Sequence, residues 1–260
     1  MSLWRKWITY LKISRMSRFY AGRSSNTPPV VKNLIIINVA MLIALFLFRQ
    51  FFRVDLNRVL GLFYFQSPMF QPWQIVTHMF MHGGLFHIFF NMWALWIFGK
   101  TLESVWGSKR FLIYYLVTGL GAAFFHSLVN YIQFAPEIAN LKAAYSAERV
   151  NMALLEEILT PGNRFYELGR QLIRPTVGAS GAVYGVLLAF GMLFPNTPLF
   201  IIPIPFPIKA KWLVIGFGIL EIYLGVTRTG GNIAHFAHLG GMIFGFILIK
   251  YWNRYTRNFY

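Results

Sequence analysis

The chain has 260 residues, of which 57% are hydrophobic and 12% charged, with a formal charge of +16; soluble domains carry about a quarter charged residues, so a water-solvated globule is excluded. Cysteine is absent, which excludes disulfides and thiolate metal sites and leaves the redox compartment open. The basic excess accompanies no nucleic-acid readout motif, so no nucleic-acid partner is expected.

In chain order, residues 1–32 read as a basic tail (Arg5, Lys6, Lys12, Arg15, Arg18, Arg23, Lys32) suited to anionic lipid headgroups. Six apolar runs follow, at 33–52, 84–100, 110–131, 178–195, 210–227 and 235–252. Each reaches or approaches the roughly 20 residues that cross about 30 Å of hydrocarbon. Helix is required, because lipid cannot satisfy exposed backbone polar groups. The expected fold is all-α, a single polytopic bundle of six transmembrane helices over 33–252. The first run reads as a span and not a signal peptide, since no small-residue cleavage pattern follows Phe52.

Segment 132–177 reads as an extracytoplasmic insertion holding five of the eight acids: Glu137, Glu148, Glu156, Glu157 and Glu167. Its Ile138, Leu141, Tyr145, Met152, Leu155 and Leu159 fall near helical spacing, predicting one or two short amphipathic helices resting on the bundle. Pro203, Pro205 and Pro207 predict an apolar, non-helical turn at the inner interface. Thr229-Gly230-Gly231-Asn232 reads as a mobile cap over the site, and 253–260 as a C-terminal tail.

With six spans both termini share one side. That side carries fifteen Lys and Arg against one acid, Glu103, and the other nine against six. The positive-inside rule then places both termini in the cytoplasm, and a bacterial inner membrane is the expected setting. Glu103 is expected to cap helices in the cytoplasmic loop.

Polar side chains inside a span are costly and ask for a reason. The second run holds His87 and Asn91, four residues apart on one helical face. The fourth opens with Gly178-Ala179-Ser180-Gly181, followed by Tyr184 and Gly185, and the sixth with His235, His238, Gly241 and Gly245. These three runs point the same way. From cluster to cytoplasmic end they count 13 residues (His87 to Lys100), 15 (Ser180 to Pro195) and 12 (His238 to Lys250). That is about 18–22 Å of helix, so Ser, His and Asn share one depth. Gly181 and Gly185, and Gly241 and Gly245, form small-xxx-small faces that permit close helix approach. Packing these faces together brings a hydroxyl beside an imidazole, the geometry of a Ser/His nucleophile pair.

At these residues the chain resembles the rhomboid intramembrane serine proteases: His87-x-x-x-Asn91, Gly178-x-Ser180-Gly181 with Tyr184, and Ala237-His238-x-x-Gly241-x-x-x-Gly245, in that order. The resemblance covers about residues 33–252. It implies a six-helix rhomboid fold and a Ser/His dyad without an acid, acting on transmembrane protein substrates and needing no cofactor. It implies Ser180 as nucleophile and His238 as base, with Asn91, His87 and the Ser180 N–H holding the oxyanion. Tyr184 then matches the family's aromatic that stacks on the histidine. His238 fits the motif better than His235, which reads as a polar residue near the water-facing mouth. Many rhomboids have a Trp-Arg pair in the first extracytoplasmic loop. Trp73-Gln74 lacks that arginine, which puts the loop's stability in question.

His78, His82 and His87 do not read as a metal set, since no His-Glu-x-x-His motif or nearby acid completes a hydrolytic zinc site; His78 and His82 are expected to bond loop backbone at the mouth. Glu221 falls about mid-membrane. It either orients His238 as the acid of a triad or accepts a bond from a neighbouring helix while neutral, and the dyad resemblance favours the second. The other reading of the whole chain is a catalytically silent rhomboid-like protein that binds membrane clients. A transporter would show paired half-repeats, and the sequence has none.

Overall fold

The structure, a computed structural model, describes residues 27–200, 206–227 and 234–255. Pro203, Pro205 and the Thr229-Gly230-Gly231-Asn232 cap lie outside the described residues, as do most of the N-terminal tail and the end of the chain.

Helix α1 (Pro29–Leu47) continues through a π turn at Phe48–Phe52. The first loop holds two short helices, α2 (Leu56–Leu60) and α3 (Gln74–Thr77). Next come α4 (Leu85–Ala94), a π turn at Leu95–Gly99 and α5 (Lys100–Trp106). Helix α6 (Ser108–Ala144) leads to the short α7 (Met152–Ile158) and α8 (Tyr166–Leu172). Helix α9 (Ser180–Leu193) is joined to α10 (Ala210–Thr227) across a two-residue antiparallel pair, β1 (Pro198–Leu199) and β2 (Ile208–Lys209). Helix α11 is His235–Tyr255.

Among the described residues, four stretches are long and apolar enough to cross a membrane: Pro29–Phe52, Leu85–Trp106, Ser108–Ala144 and Ala210–Thr227. The other two expected spans fall short of that measure, α9 because it has 14 residues, and α11 because His235, His238, three glycines and Lys250 dilute its apolar run. These are the two helices that carry Ser180 and His238. Polar chemistry and glycine packing there replace residues that would otherwise meet lipid.

The bundle is apolar outside as well as inside, unlike a soluble one. Ile36, Ile37 and Phe46 of α1, Phe86, Phe89 and Trp93 of α4, and Ile219, Ile222 and Val226 of α10 are exposed, while Asn38, Glu103, Thr118 and Glu221 are buried. Lipid tails are as apolar as leucine, so burying leucine gains little in a bilayer; small residues and hydrogen bonds hold the helices instead. Glu103 is one such tie. It is 2% exposed and accepts the Val30 and Val31 N–H groups at 2.9 and 2.8 Å and the Ser108 hydroxyl at 2.7 Å. Pro28 offers α1 no side-chain cap, so a carboxylate from α5 satisfies the unpaired first-turn donors and meets the positive end of the helix dipole.

Helix α6 corrects the expected third span. It runs to Ala144, past the predicted end at 131, and its 37 residues measure about 55 Å, well beyond the hydrocarbon thickness. The reason is burial. Ile138 and Leu141 of its last turns join Leu154, Leu155, Ile158, Phe165, Leu168 and Leu172 in a second core that also takes Tyr64 from the first loop. Of the apolar positions singled out in the insertion, Ile138 and Leu141 fall on α6, and Met152 and Leu155 on the short α7, where Met152 is exposed; α8 lies beyond them. This unit is tied to the first loop by the Ser67 hydroxyl donating to the Leu172 carbonyl at 2.8 Å and by a bridge between Leu62 and Thr176.

Candidate active site

The site forms where α9, α11 and α6 meet. An added Cβ on Gly241 would overlap the carbonyl of Gly181, so α11 and α9 touch backbone to backbone at that level. The two small-xxx-small faces do not pack on each other as expected, however: a Cβ on Gly181 would itself strike Ala122 of α6. One turn deeper, Gly185 packs against Thr118 and Gly245 against Tyr114, both on α6, and the Tyr114 hydroxyl donates to the Gly185 carbonyl at 2.8 Å. Glycine against glycine sets the height of the site, and α6 closes the wedge beneath it.

Gly178 prepares the start of α9. Its φ of +128° favours glycine, and a Cβ there would strike the His87 ring. Its N–H donates to the His78 carbonyl at 2.9 Å, seating the turn on the first loop. Ser180 then opens α9, where first-turn N–H groups lack intrahelical partners and favour negative charge.

The hydroxyl and imidazole are in contact: His238 Nε2 lies 2.8 Å from Ser180 Oγ. Tyr184, one turn below, stacks on the His238 ring at 4.2 Å with an interplanar angle of 5°. Asn91 is buried, and its amide donates to the His87 carbonyl of its own helix at 2.9 Å. The His87 ring accepts the Gly83 N–H at 3.3 Å and meets His82 edge-on. Ser180, His238, Tyr184, His87 and Asn91 all line one cavity of about 1580 Å³. Phe86, Phe90 and Trp93 of α4 and Phe217 and Leu224 of α10 supply apolar walls, while Asn130, Glu137 and Arg174 give it a polar side.

The loop histidines differ from one another. His78 bonds the Gln74 carbonyl at 2.9 Å, a backbone contact of the kind expected. His82 is 1% exposed; its backbone contact is with Phe80 of the same loop, too poorly aligned to give either ring nitrogen a well-formed hydrogen bond. Burial pushes the His78 imidazole down to about 4. Burial and the neighbouring His87 push His82 down to about 3, so both are neutral near pH 7. Gln74, where many rhomboids have arginine, is 1% exposed. Its Oε1 accepts the Gln71 and Phe63 N–H groups at 3.1 and 3.4 Å, and its Nε2 donates to the Met69 and Val59 carbonyls at 3.1 and 3.3 Å. The loop keeps its tie, made by an amide.

Three residues were misplaced or passed over by sequence reasoning. His126 of α6 lines the cavity and lies 3.0 Å from Thr176 Oγ1 and 3.1 Å from the Asn130 amide. A histidine inside an apolar run was the available signal. His235 is 6% exposed and not a mouth residue, because its Nδ1 lies 2.6 Å from Glu221 Oε2. Glu221 belongs to the site itself. It accepts the Tyr184 hydroxyl on Oε1, and the same oxygen lies 2.9 Å from His238 Nδ1. That approach is close but poorly aligned, leaving His238 Nδ1 without a formed hydrogen bond.

Glu221, His235 and His238 each offer a ligand atom within 4.8 Å of the others. Ligands on one tetrahedral zinc ion, at about 2.0–2.1 Å from the metal, stand about 3.3 Å apart. The observed 2.6 and 2.9 Å are hydrogen-bond separations, so protons join these groups as they stand, and an ion would have to spread them.

The Rhomboid domain model matches residues 69–254, and this chain belongs to the rhomboid family. It is 29% identical over 215 residues to RHOMBOID-like protein 12, mitochondrial, of Arabidopsis thaliana, covering 82% of this chain and 55% of that protein. It is 27% identical over 173 residues to Rhomboid protein 1, mitochondrial, of Saccharomyces cerevisiae, covering 66% and 39%. With Rhomboid protease GlpG of Yersinia pestis the identity is 26% over 195 residues, covering 75% and 52%. The chain thus spans between 39% and 55% of these relatives' own length. Family and membrane-length helices together make it an all-α integral membrane protein.

Proposed function

We propose that this protein is an intramembrane serine endopeptidase that cuts membrane-spanning protein substrates, with Ser180 as nucleophile and His238 as general base. The observation that carries the reading is the 2.8 Å contact between Ser180 Oγ and His238 Nε2 at a helix N-terminus inside a cavity. Protease relatives such as GlpG support it.

In this reading the Ser180 oxygen bonds to the scissile carbonyl carbon as its proton passes to His238 Nε2, and the carbonyl π electrons move to oxygen. The Ser180 N–H and the His87 and Asn91 side chains supply donors for the resulting oxyanion, the Asn91 amide turning from the His87 carbonyl to do so. Collapse of the intermediate breaks the C–N bond. The leaving amine takes the proton from His238, and water then cleaves the acyl–Ser180 ester by the same base. An α-helical peptide bond is shielded from such attack, so the substrate is a membrane helix that unwinds locally. The apolar walls from α4 and α10 fit such a segment.

We propose further that residues 1–32 form a basic tail, 33–252 the membrane domain with its insertion, and 253–260 a short tail. The charge bias favours both termini in the cytoplasm of a bacterial inner membrane. The mitochondrial names of two relatives make that organelle the other setting, and cell fractionation distinguishes them.

The test is labelling of the purified protein in detergent by a fluorophosphonate. Labelling of the wild type that disappears in Ser180→Ala and drops sharply in His238→Ala is expected. A wild type that takes no label is instead a silent rhomboid-like protein that binds membrane clients.

A further inference from the structure

We propose that Glu221 is a positioning residue for the reaction: its carboxylate holds His238 with its ring proton on Nδ1 and faces the positive charge that His238 acquires from Ser180. This rests on the reading of Ser180 and His238 as nucleophile and base, and departs from the acid-free dyad that the family resemblance implies.

Glu221 is 4% exposed, and a carboxylate inside a membrane bundle persists only if its oxygens are satisfied. Its Oε2 is bonded by His235 Nδ1 at 2.6 Å. Its Oε1 accepts the Tyr184 hydroxyl. Three helices are joined at this carboxylate: α9 through Tyr184, α10 through Glu221 itself, and α11 through both histidines. Tyr184 grips the base a second time through the parallel ring stack on His238. With both oxygens engaged, the carboxylate has little freedom, and Oε1 is left 2.9 Å from His238 Nδ1.

That position matters because of what His238 must be. To accept the Ser180 proton, Nε2 must present its lone pair, so the neutral ring carries its proton on Nδ1. The opposite tautomer would set two lone pairs against each other at 2.9 Å, and the carboxylate disfavours it. In the resting site the Nδ1–Oε1 approach is not aligned as a hydrogen bond. Its value rises when His238 becomes imidazolium, since a dipole facing an anion is then replaced by a cation facing an anion at short range in a poorly solvated site. An interaction that strengthens as the proton moves accelerates the step, where one equally strong before and after would not.

Gln and Asp at position 221 separate charge from packing. Glu221→Gln keeps the shape and removes the charge, whereas Glu221→Asp keeps the charge and shortens the side chain by one methylene. The readout is the second-order rate of Ser180 labelling by a fluorophosphonate in detergent, with thermal unfolding as a folding control. The proposal expects Glu221→Gln to label about 10- to 1000-fold more slowly than wild type, and Glu221→Asp to be faster than Glu221→Gln. A residue that only fills space gives the opposite order, because Gln preserves volume and Asp does not.

A second measurement needs no variant at position 221. In protein carrying ¹⁵N-histidine, the His238 ring signals, assigned by their loss in His238→Ala, are expected to report a proton on Nδ1. A proton on Nε2 in the resting wild type, or a Glu221→Gln protein that labels at the wild-type rate, overturns the proposal while leaving Ser180 as nucleophile. If both variants fail to fold, the nitrogen spectrum of the wild type decides. A wild type that takes no label overturns the nucleophile reading, and this proposal with it.

Discussion

The rings of Tyr184 and His238 lie parallel at 4.2 Å, and the hydroxyl of the same tyrosine donates to Glu221. One side chain thus contacts the His238 imidazole by its face and the carboxylate beside it by its edge, and the two contacts can be separated. Tyr184→Phe keeps the stack and loses the hydroxyl, so Ser180 labelling is expected to slow several-fold. Tyr184→Ala loses about 1 kcal/mol of ring contact as well and opens space beside the imidazole, so it is expected to slow labelling at least tenfold more than Tyr184→Phe.

Gly241 and Gly216 offer a matched pair. A Cβ on Gly241 would overlap the Gly181 carbonyl, whereas a Cβ on Gly216 meets no heavy atom within 4 Å. Gly241→Ala must therefore push α11 from α9 and draw His238 away from Ser180. It is expected to lower stability by about 2 kcal/mol or more and to abolish labelling. Gly216→Ala is expected to leave labelling unchanged and to gain up to about 1 kcal/mol from helix propensity. Thermal unfolding and fluorophosphonate labelling check both.

The loop histidines set an acid limit. His78 and His82 are buried neutral, with values pushed down to about 4 and about 3, whereas in an unfolded chain histidine takes up its proton near 6.5. Between those values the unfolded state binds more protons, so stability falls with falling pH. The protein is expected to be at full stability above about pH 6.5 and to lose it progressively toward pH 4 and below. Melting temperatures measured from pH 7 to pH 4 test this, and in His82→Gln the decline is expected to be shallower than in wild type.

Gln74 closes the first loop on itself with four hydrogen bonds to backbone groups. Gln74→Ala leaves those groups unpaired and is expected to cost about 2 kcal/mol. Because that loop carries His78, whose carbonyl seats Gly178, labelling is expected to fall as well. Unfolding midpoints and labelling rates measured together test the link.

Much of this was legible in the chain. Apolar runs separated by Gly, Pro and charge marked six long helical stretches, four of them to within four residues at either end, because hydrocarbon thickness dictates length and lipid dictates helix. The clusters at His87, Ser180 and His238 stood out because polar groups are costly there. The end of α6 was not legible. A helix that leaves the membrane continues as long as another core buries its face, and that core is made by α7, α8 and Tyr64, distant in sequence.

Sequence alone determined which long helices exist and which of them carry polar clusters, since both follow from the one-dimensional pattern of apolar, glycine and polar residues. Tertiary structure decided what Glu221 and His235 touch. A residue count placed one at mid-membrane and the other at the mouth, yet they lie 2.6 Å apart. Rotation and tilt of α10 against α11 set which side chains meet, and these arise from packing between helices, which spacing within one helix does not encode.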